Sequence, residues 1–459
     1  MERKGREEGF GHLYKQKEEQ QVELIEWILA EQNMLTAIKA VKQNKGAAGI
    51  DKMPVEELET YYIVYGEEIK EQIREKKYKP QPVRRVYIPK ANGKQRPLGI
   101  PTVVDRMIQQ ATAQIISKGY EKYFSENSYG FRPGRDCHMA VEKALEYINE
   151  GYEWVIDLDI EKYFDTVNHD KLVSILRERI NDAPTLHLIR SFLKAGVMEE
   201  GLISPSKEGV PQGGPLSPVL SNVYLDKLDK ELEARGLRFV RYADDCNIFV
   251  KSEQAANRVM ESITSWIERK LRLKVSATKT KVVRPNKSNF LGFGFWQGKD
   301  GWKAVPAKDR RTKLYDKTRE ILCRKKAAAR PIGVTFTKLN QLIRGWINYF
   351  GIGTMKTFLM DYGSWMRHKV RVVIVKQWKR PRTIYKNLAT LNRIVKCRFS
   401  DEDIYKAANT RFGLYRQCGM NVFNYALNPK ILGQKTKDRP GLVDPLEYYL
   451  KKLEVSTLM

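Results

Sequence analysis

Cysteine and histidine are scarce, five of each in 459 residues. The cysteines stand at 137, 246, 323, 397 and 418, with no Cys-x-x-Cys pair and no histidines gathered around them. That pattern excludes a disulfide-stapled fold and a zinc module with tight ligand spacing, and makes a reduced cytosolic setting the expectation. No stretch approaches the ~20 consecutive apolar residues of a membrane span. The opening Met1-Glu-Arg-Lys-Gly-Arg-Glu-Glu8 lacks the apolar segment of a signal peptide. No membrane partner is therefore expected. Internal repeats and low-complexity tracts are also lacking. Hydrophobic residues at 42% and aromatics at 10% rule out disorder throughout, and the length allows roughly two to four domains.

Acidic residues are in short supply as well. Asp and Glu number 55 against 82 Lys and Arg, a formal charge of +27, which points to a polyanionic partner. The excess is concentrated. Residues 301–400 hold 25 Lys and Arg but 4 Asp and Glu, so this stretch carries +21 and the rest of the chain +6. Basic residues there are interleaved with Trp302, Tyr315, Trp346, Tyr349, Trp365, Trp378 and Tyr385. Cations neutralise phosphates and aromatic faces stack on bases, so the mixture predicts RNA or single-strand binding. Some of these rings belong to a core: Leu339, Leu342, Ile343, Trp346, Tyr349 and Phe350 recur at helical spacing and predict one buried stripe.

Periodicity organises the rest. Residues 21–45 read as helical through Leu24, Ile25, Ile28, Leu29, Leu35, Ile38 and Val41, ending at Gly46-Ala-Ala-Gly-Ile-Asp51. Val83–Pro89 and Arg96–Pro101 read as a hairpin turning at Asn92-Gly93. A helix is expected over 103–118, mixed strands and helices over 150–295, and almost only helix beyond about 300, with a break at Pro381.

Trp154-Val-Ile-Asp-Leu-Asp-Ile160 alternates as a strand, putting Val155, Asp157 and Asp159 on one face. Two carboxylates on an otherwise apolar strand are costly unless a cation meets them. Read alone, the pair fits a salt-bridged edge strand equally well. Leu237–Tyr242 and Cys246–Val250 form a second pair of strands around Ala243-Asp244-Asp245. A hairpin with aspartates at its tip, set beside Asp159, would make a three-carboxylate cage for hard divalent cations. Two Mg²⁺ about 4 Å apart would activate an attacking hydroxyl and neutralise a leaving pyrophosphate, which is phosphoryl transfer.

Tyr242-Ala-Asp-Asp245 resembles the Tyr-x-Asp-Asp box of reverse transcriptases, and Asp159-Ile-Glu-Lys-Tyr-Phe-Asp165 their preceding Asp-bearing block. Between them, Gly209-Val-Pro-Gln-Gly-Gly-Pro-Leu-Ser-Pro218 is similar to the family's Pro-Gln-Gly block. Its glycines permit close backbone approach, and Ser217-Pro218 reads as a helix N-cap and first turn. Lys90–Pro101 and Ser128-Tyr-Gly-Phe-Arg-Pro-Gly-Arg135 are similar to the first blocks of one branch, the reverse transcriptases or maturases of group II introns. Asn289-Phe-Leu-Gly-Phe293 and Arg344-Gly-Trp-Ile-Asn-Tyr-Phe350 resemble that branch's last palm block and its thumb signature. The resemblance runs from about residue 25 to about 430.

The resemblance implies an α+β fold: a right-hand polymerase with antiparallel sheets in fingers and palm, then an all-helical thumb (domain X) and a small C-terminal DNA-binding domain. The implied divisions are 1–150 for the N-terminal extension and fingers, 151–298 for the palm (reverse transcriptase domain about 70–298), 299–380 for the thumb and 381–459 for the DNA-binding domain. Asp159, Asp244, Asp245 and Lys279 would be catalytic, with Lys279 protonating pyrophosphate as it leaves. Asp159, Ile160, Asp244 and Asp245 would hold two Mg²⁺. Arg84, Lys90 and Arg96 would grip the incoming triphosphate, Gln212 would contact nucleotide or template, and Phe164 would exclude a 2′-hydroxyl and so favour dNTPs. Ser276 stands where the family usually has Asn. Arg344, Trp346, Tyr349, Lys376, Trp378, Lys379 and Arg380 would bind nucleic acid.

The implied function is RNA-directed DNA polymerisation on an RNA template with a DNA primer, together with binding of group II intron RNA for splicing and of target DNA for mobility. The setting would be the bacterial cytoplasm, beside the nucleoid when DNA is engaged. About thirty residues follow position 430, too few for the endonuclease module of many relatives, so an endonuclease-lacking lineage is expected. A splicing-only maturase and a defence or diversity-generating reverse transcriptase are the alternative readings.

Overall fold

The computed structural model describes residues 23–89, 93, 95–396, 399–437 and 439–457; Lys90 and Asn92 lie outside them. The chain forms two compact units, residues 1–288 and 289–459. The division falls inside the stretch expected to be palm. Its cause is strand pairing: Asn289–Phe290 (β9) pairs with Phe293–Gly298 (β10), which pairs in turn with Gly301–Pro306 (β11), closing a sheet β11-β10-β9.

The first unit carries two sheets. Val83–Pro89 (β1) and Gln95–Ile100 (β2) form the expected antiparallel hairpin, with Arg84 opposite Ile100. Val197–Glu199 (β4) joins β1 in parallel and Leu202–Ser204 (β5) follows β4, giving the order β2-β1-β4-β5. The central sheet is wholly antiparallel, Arg238–Tyr242 (β6), Asp245–Val250 (β7), Trp154–Leu158 (β3) and Lys281–Val283 (β8), in the order β6-β7-β3-β8. Val155, Ile156, Phe239 and Ile248 are completely buried, as are Tyr224, Leu225 and Leu228 of the helix Ser217–Ala234. Burying each such side chain contributes about 1.5–3 kcal/mol.

The helix expected over 103–118 runs Val103–Tyr120, with Thr102 Oγ accepting the Asp105 N–H at its start. The helical stretch near the amino terminus is two helices, Leu24–Leu29 and Glu31–Asn44, bent at Ala30, and Leu35 faces solvent. Ser217 does not cap its helix. It is the first helical residue, and its hydroxyl donates to the Pro211 carbonyl at 2.6 Å, tying the preceding loop down.

In the second unit, the helices Lys308–Ile321, Ile332–Phe350 and Lys356–Trp378 are followed by Pro381–Val395 and shorter helices. The buried stripe of Ile332–Phe350 runs through Phe336, Leu339, Ile343, Ile347 and Phe350. It includes neither Leu342 nor Trp346, which are half-buried, nor Tyr349, which is exposed. Trp346 and Ile347 stand three and four residues after Ile343, both at helical spacing, and the packed face takes Ile347. Between Trp378 and Pro381, Lys379 has φ 61° and ψ −69°, and the Arg380 N–H donates to the Trp378 carbonyl at 2.7 Å. This three-residue turn of positive φ is rare and strained. A second core gathers Val375, Ile384, Leu388, Ile404 and Phe423.

Candidate active site

Strand register brings the site together. Leu158 of β3 is opposite Cys246 of β7, and Asp157 is opposite Lys281 of β8. One further residue along the first ladder and two along the second set Asp159 between Asp245 on one side and Lys279 on the other. Lys279 Nζ donates to both Asp159 carboxylate oxygens, at 2.9 and 3.1 Å. Thr280 Oγ1 and the Ser276 N–H hold the Asp159 main chain, Ser276 donating to the Asp159 carbonyl at 2.9 Å. The hairpin joining β6 and β7 is a two-residue turn, Ala243 and Asp244, with Tyr242 paired to Asp245. Asp244 therefore sits in the turn and Asp245 opens the strand. Two-residue hairpin loops require positive φ. Ala243 adopts φ 57° without being glycine, a conformation costing about 1–2 kcal/mol.

The two aspartates of β3 have different environments. Asp157 accepts from Ser288 Oγ at 2.6 Å and Asn247 Nδ2 at 3.0 Å, with Lys281 Nζ 3.4 Å away. Burial nevertheless raises its carboxyl above the usual range. This residue belongs to a structural network. Solvent reaches Asp245, yet the protein packed around it disfavours its charged form, and Asp244 and Asp159 add repulsion; together they push it up to about 6.

The expected cage of three carboxylates is not drawn tight. Among the described residues no three His, Cys, Asp or Glu side chains converge as a metal-holding group. Carboxylates repel one another, and Asp159 is turned onto the Lys279 ammonium. The donor chemistry still fits a hard divalent cation: the carboxylates of Asp159, Asp244 and Asp245 stand at one end of one sheet. Ile160 offers no ligand from its side chain, which is buried while its main chain bridges Val275.

The nucleotide-binding candidates separate. Arg96 Nε donates to Gln212 Oε1 at 2.8 Å, joining the hairpin to the Pro-Gln-Gly loop, and the Gly99 N–H donates to the Gln212 carbonyl at 2.7 Å. Gln212 and Phe164 line one cavity of about 350 Å³ with Arg85, Asp165 and Glu208. Arg84 faces elsewhere: its guanidinium donates twice to the Ala48 carbonyl, at 2.8 and 3.2 Å. Lys90 lies outside the described residues.

In the second unit, Arg344, Lys376, Lys379 and Arg380 are exposed. The rings are less free. Trp346 packs on Phe350 and Phe358 with centroids 4.7 and 5.5 Å away. The Tyr349 hydroxyl donates to the Leu291 carbonyl at 2.8 Å, and Trp378 packs on the second core.

Sequence reasoning missed His169. Its Nε2 lies 2.7 Å from the Gly209 carbonyl, buried at the start of the helix His169–Arg177. Burial lowers its pKa, favouring the neutral ring, which donates this hydrogen bond. The Val210 N–H donates to the Phe164 carbonyl at 2.6 Å, which ties the loop to Phe164. The Asn-His-Asp run was visible, but nothing in it signals a partner forty positions away.

A four-stranded antiparallel palm with aspartates at the ends of its middle strands defines a polymerase of the reverse transcriptase class. A family model described as reverse transcriptase (RNA-dependent DNA polymerase) matches residues 88–295, and the maturase-specific domain of group II introns matches residues 311–391. Protein YkfC of Escherichia coli (strain K12) is 34% identical over 299 residues, covering 57% of this chain and 77% of that one. The group II intron-encoded protein LtrA of Lactococcus lactis subsp. cremoris is 29% identical over 384 residues, covering 62% of this chain and 64% of LtrA. Nuclear intron maturase 4, mitochondrial, of Arabidopsis thaliana is 32% identical over 145 residues, covering 31% of this chain and 18% of that protein. The chain belongs to the group II intron reverse transcriptase/maturase family, whose polymerases are generally metal-dependent. No helix among the described residues is long and apolar enough to cross a membrane.

Proposed function

We propose that the protein copies an RNA template into DNA by adding dNTPs to a primer, and that it binds group II intron RNA to assist splicing and mobility by target-primed reverse transcription. The observation that carries this reading is the register that sets Asp159 between Asp245 and Lys279, with Asp244 in the adjoining turn. In this reading Asp159, Asp244 and Asp245 hold two Mg²⁺. The bound ions supply activation of the primer hydroxyl and charge neutralisation at the phosphates. Lys279, released from Asp159, donates a proton to the departing pyrophosphate. Arg96 and Gln212 orient the nucleotide, and Phe164 excludes its 2′-hydroxyl. Arg84 contributes by holding Ala48, not by touching a phosphate. The basic second unit (Arg344, Lys376, Lys379 and Arg380, together with Trp346, Tyr349 and Trp378) contacts intron RNA and target DNA through counterion replacement. Thumb and DNA-binding divisions at 299–380 and 381–459, and a site of action in the bacterial cytoplasm beside the nucleoid, complete the proposal.

The test is primer extension on an RNA template with dNTPs and Mg²⁺, beside a D244A/D245A variant. Extension that disappears in the variant is the expected result. An intact protein that extends nothing, yet binds intron RNA with steep salt dependence, would replace the polymerase reading with that of a splicing-only maturase.

A further inference from the structure

Arg241 precedes the Tyr-Ala-Asp-Asp run and is completely buried. Its alternation with Phe239 places it on the core face of β6, where a cation is unexpected. The guanidinium has five N–H donors, and here each has an acceptor. Nε donates to Asp229 Oδ1 at 2.7 Å and Nη2 to Asp229 Oδ2 at 2.5 Å. Nη2 also donates to Ser128 Oγ at 2.8 Å, while Nη1 donates to Asn222 Oδ1 at 3.2 Å and to the Ala243 carbonyl at 2.9 Å. The main chain of Arg241 is engaged too, donating to the Asn127 carbonyl and accepting from the Tyr129 N–H, both at 2.9 Å.

These contacts converge on the turn. Asn222 Nδ2 donates to the Gly130 carbonyl at 2.8 Å. A Cβ on Gly130 would stand 2.3 Å from the Ala243 nitrogen, so that backbone lies flat against the hairpin tip. Asp229 and Asn222 both come from the helix Ser217–Ala234. The helix, the 127–130 segment and the strained Ala243 therefore meet at one guanidinium. A buried ion pair is a poor means of stabilising a fold, because apolar residues of similar volume often do as well or better. No apolar pair can hold the Ala243 carbonyl.

We propose that Arg241 is the positioning residue of the catalytic hairpin: anchored on Asp229, it holds the Ala243 carbonyl and thereby fixes where Asp244 and Asp245 stand. The inference rests on the polymerase reading for its kinetic consequence, but not for its structural one. Lysine keeps the charge and can pair with Asp229, yet it has three donors and no planar fork. Arg241→Lys is therefore the informative change. The second variant is R241M/D229L, which replaces the ion pair by apolar groups and so keeps the core filled.

Hydrogen exchange reads the turn directly. In both variants the amide of Asp245, paired across the turn with Tyr242, exchanges at least tenfold faster, while the earlier amides of β6 and the later part of β7 stay protected. In primer extension both variants lose about 10²-fold in kcat, the order expected for a misplacement near 1 Å. Template–primer affinity, measured by fluorescence anisotropy without dNTP, stays within about twofold of the parent. Unchanged exchange at Asp245 in a folded variant overturns the proposal, whatever the activity. So does a kcat loss that merely tracks lost template binding or lost folded protein. A parent protein that extends no primer, with faster exchange in the variants, overturns the polymerase reading and keeps the positioning role.

Discussion

Replacing Gly209 by alanine separates two costs that the structure assigns to one position. Gly209 has φ +89°, and a Cβ there would stand 2.9 Å from the carbonyl oxygens of both Phe164 and Asp165. The backbone conformation alone costs a non-glycine residue about 1–3 kcal/mol. Relieving the clash moves the loop away from Phe164, and the hydrogen bond from Val210 N–H to the Phe164 carbonyl contributes about 1 kcal/mol more. The sum is about 3 kcal/mol, roughly 6–12 °C in melting temperature for a unit of this size. Gly134 supplies the control: it has φ +68° but open space where a Cβ would go, so G134A bears the conformational cost alone. The assay is thermal unfolding of both variants, followed by dNTP against rNTP incorporation, since displacement of Phe164 should relax sugar discrimination in G209A only. Equal melting temperatures for G209A and G134A, with discrimination intact in both, would refute the claim that this glycine is required by close approach.

Three further outcomes follow from the geometry. Burial pushes Asp105 up to about 6 from its ordinary 3.8, so the folded state binds a proton more readily than the unfolded state. Stability should therefore fall as pH rises from about 4 to about 6, by about 3 kcal/mol, and level off above. Asp226, also pushed up to about 6, adds to the same slope, so the measurement is the smaller slope of D105N beside the parent in urea titrations. Lys379→Gly should stabilise the second unit by about 1 kcal/mol, the strain relieved less the greater freedom of glycine in the unfolded chain; a lower melting point would show the turn to be unstrained. Phe164→Ala should raise rNTP incorporation at least about tenfold with dNTP use largely retained, and an unchanged ratio in single-nucleotide kinetics would remove Phe164 from the gate.

Much of the site was legible because its signals are local. The alternation of 154–160 placed Asp159 on a strand face, and the hairpin pattern placed Asp244 and Asp245 at a strand end. What stayed hidden depends on partners far along the chain. Nothing near Asp157 foretells Asn247 and Ser288, and nothing near Arg84 foretells the Ala48 carbonyl. Periodicity also misplaced one face: Trp346 and Ile347 are adjacent, and only packing decides which turns inward. Arg241 carried a readable clue, a cation at a core position of a strand, matched by Asp229 among Leu225, Leu228 and Leu232 on a helix.

The order of the central sheet also bears on synthesis. Its inner strand, residues 154–158, pairs with 245–250 and 281–283, so it leaves the ribosome long before either neighbour. The hairpin strand 83–89 likewise awaits 197–199. A nascent chain halted anywhere before position 279 holds Asp159 without the lysine that pairs with it. The reaction centre is thus complete only when nearly the whole first unit has been made, and non-local pairing of this kind slows folding. Half-made chains carry exposed strand edges during that interval, a window in which chaperones would find their substrate.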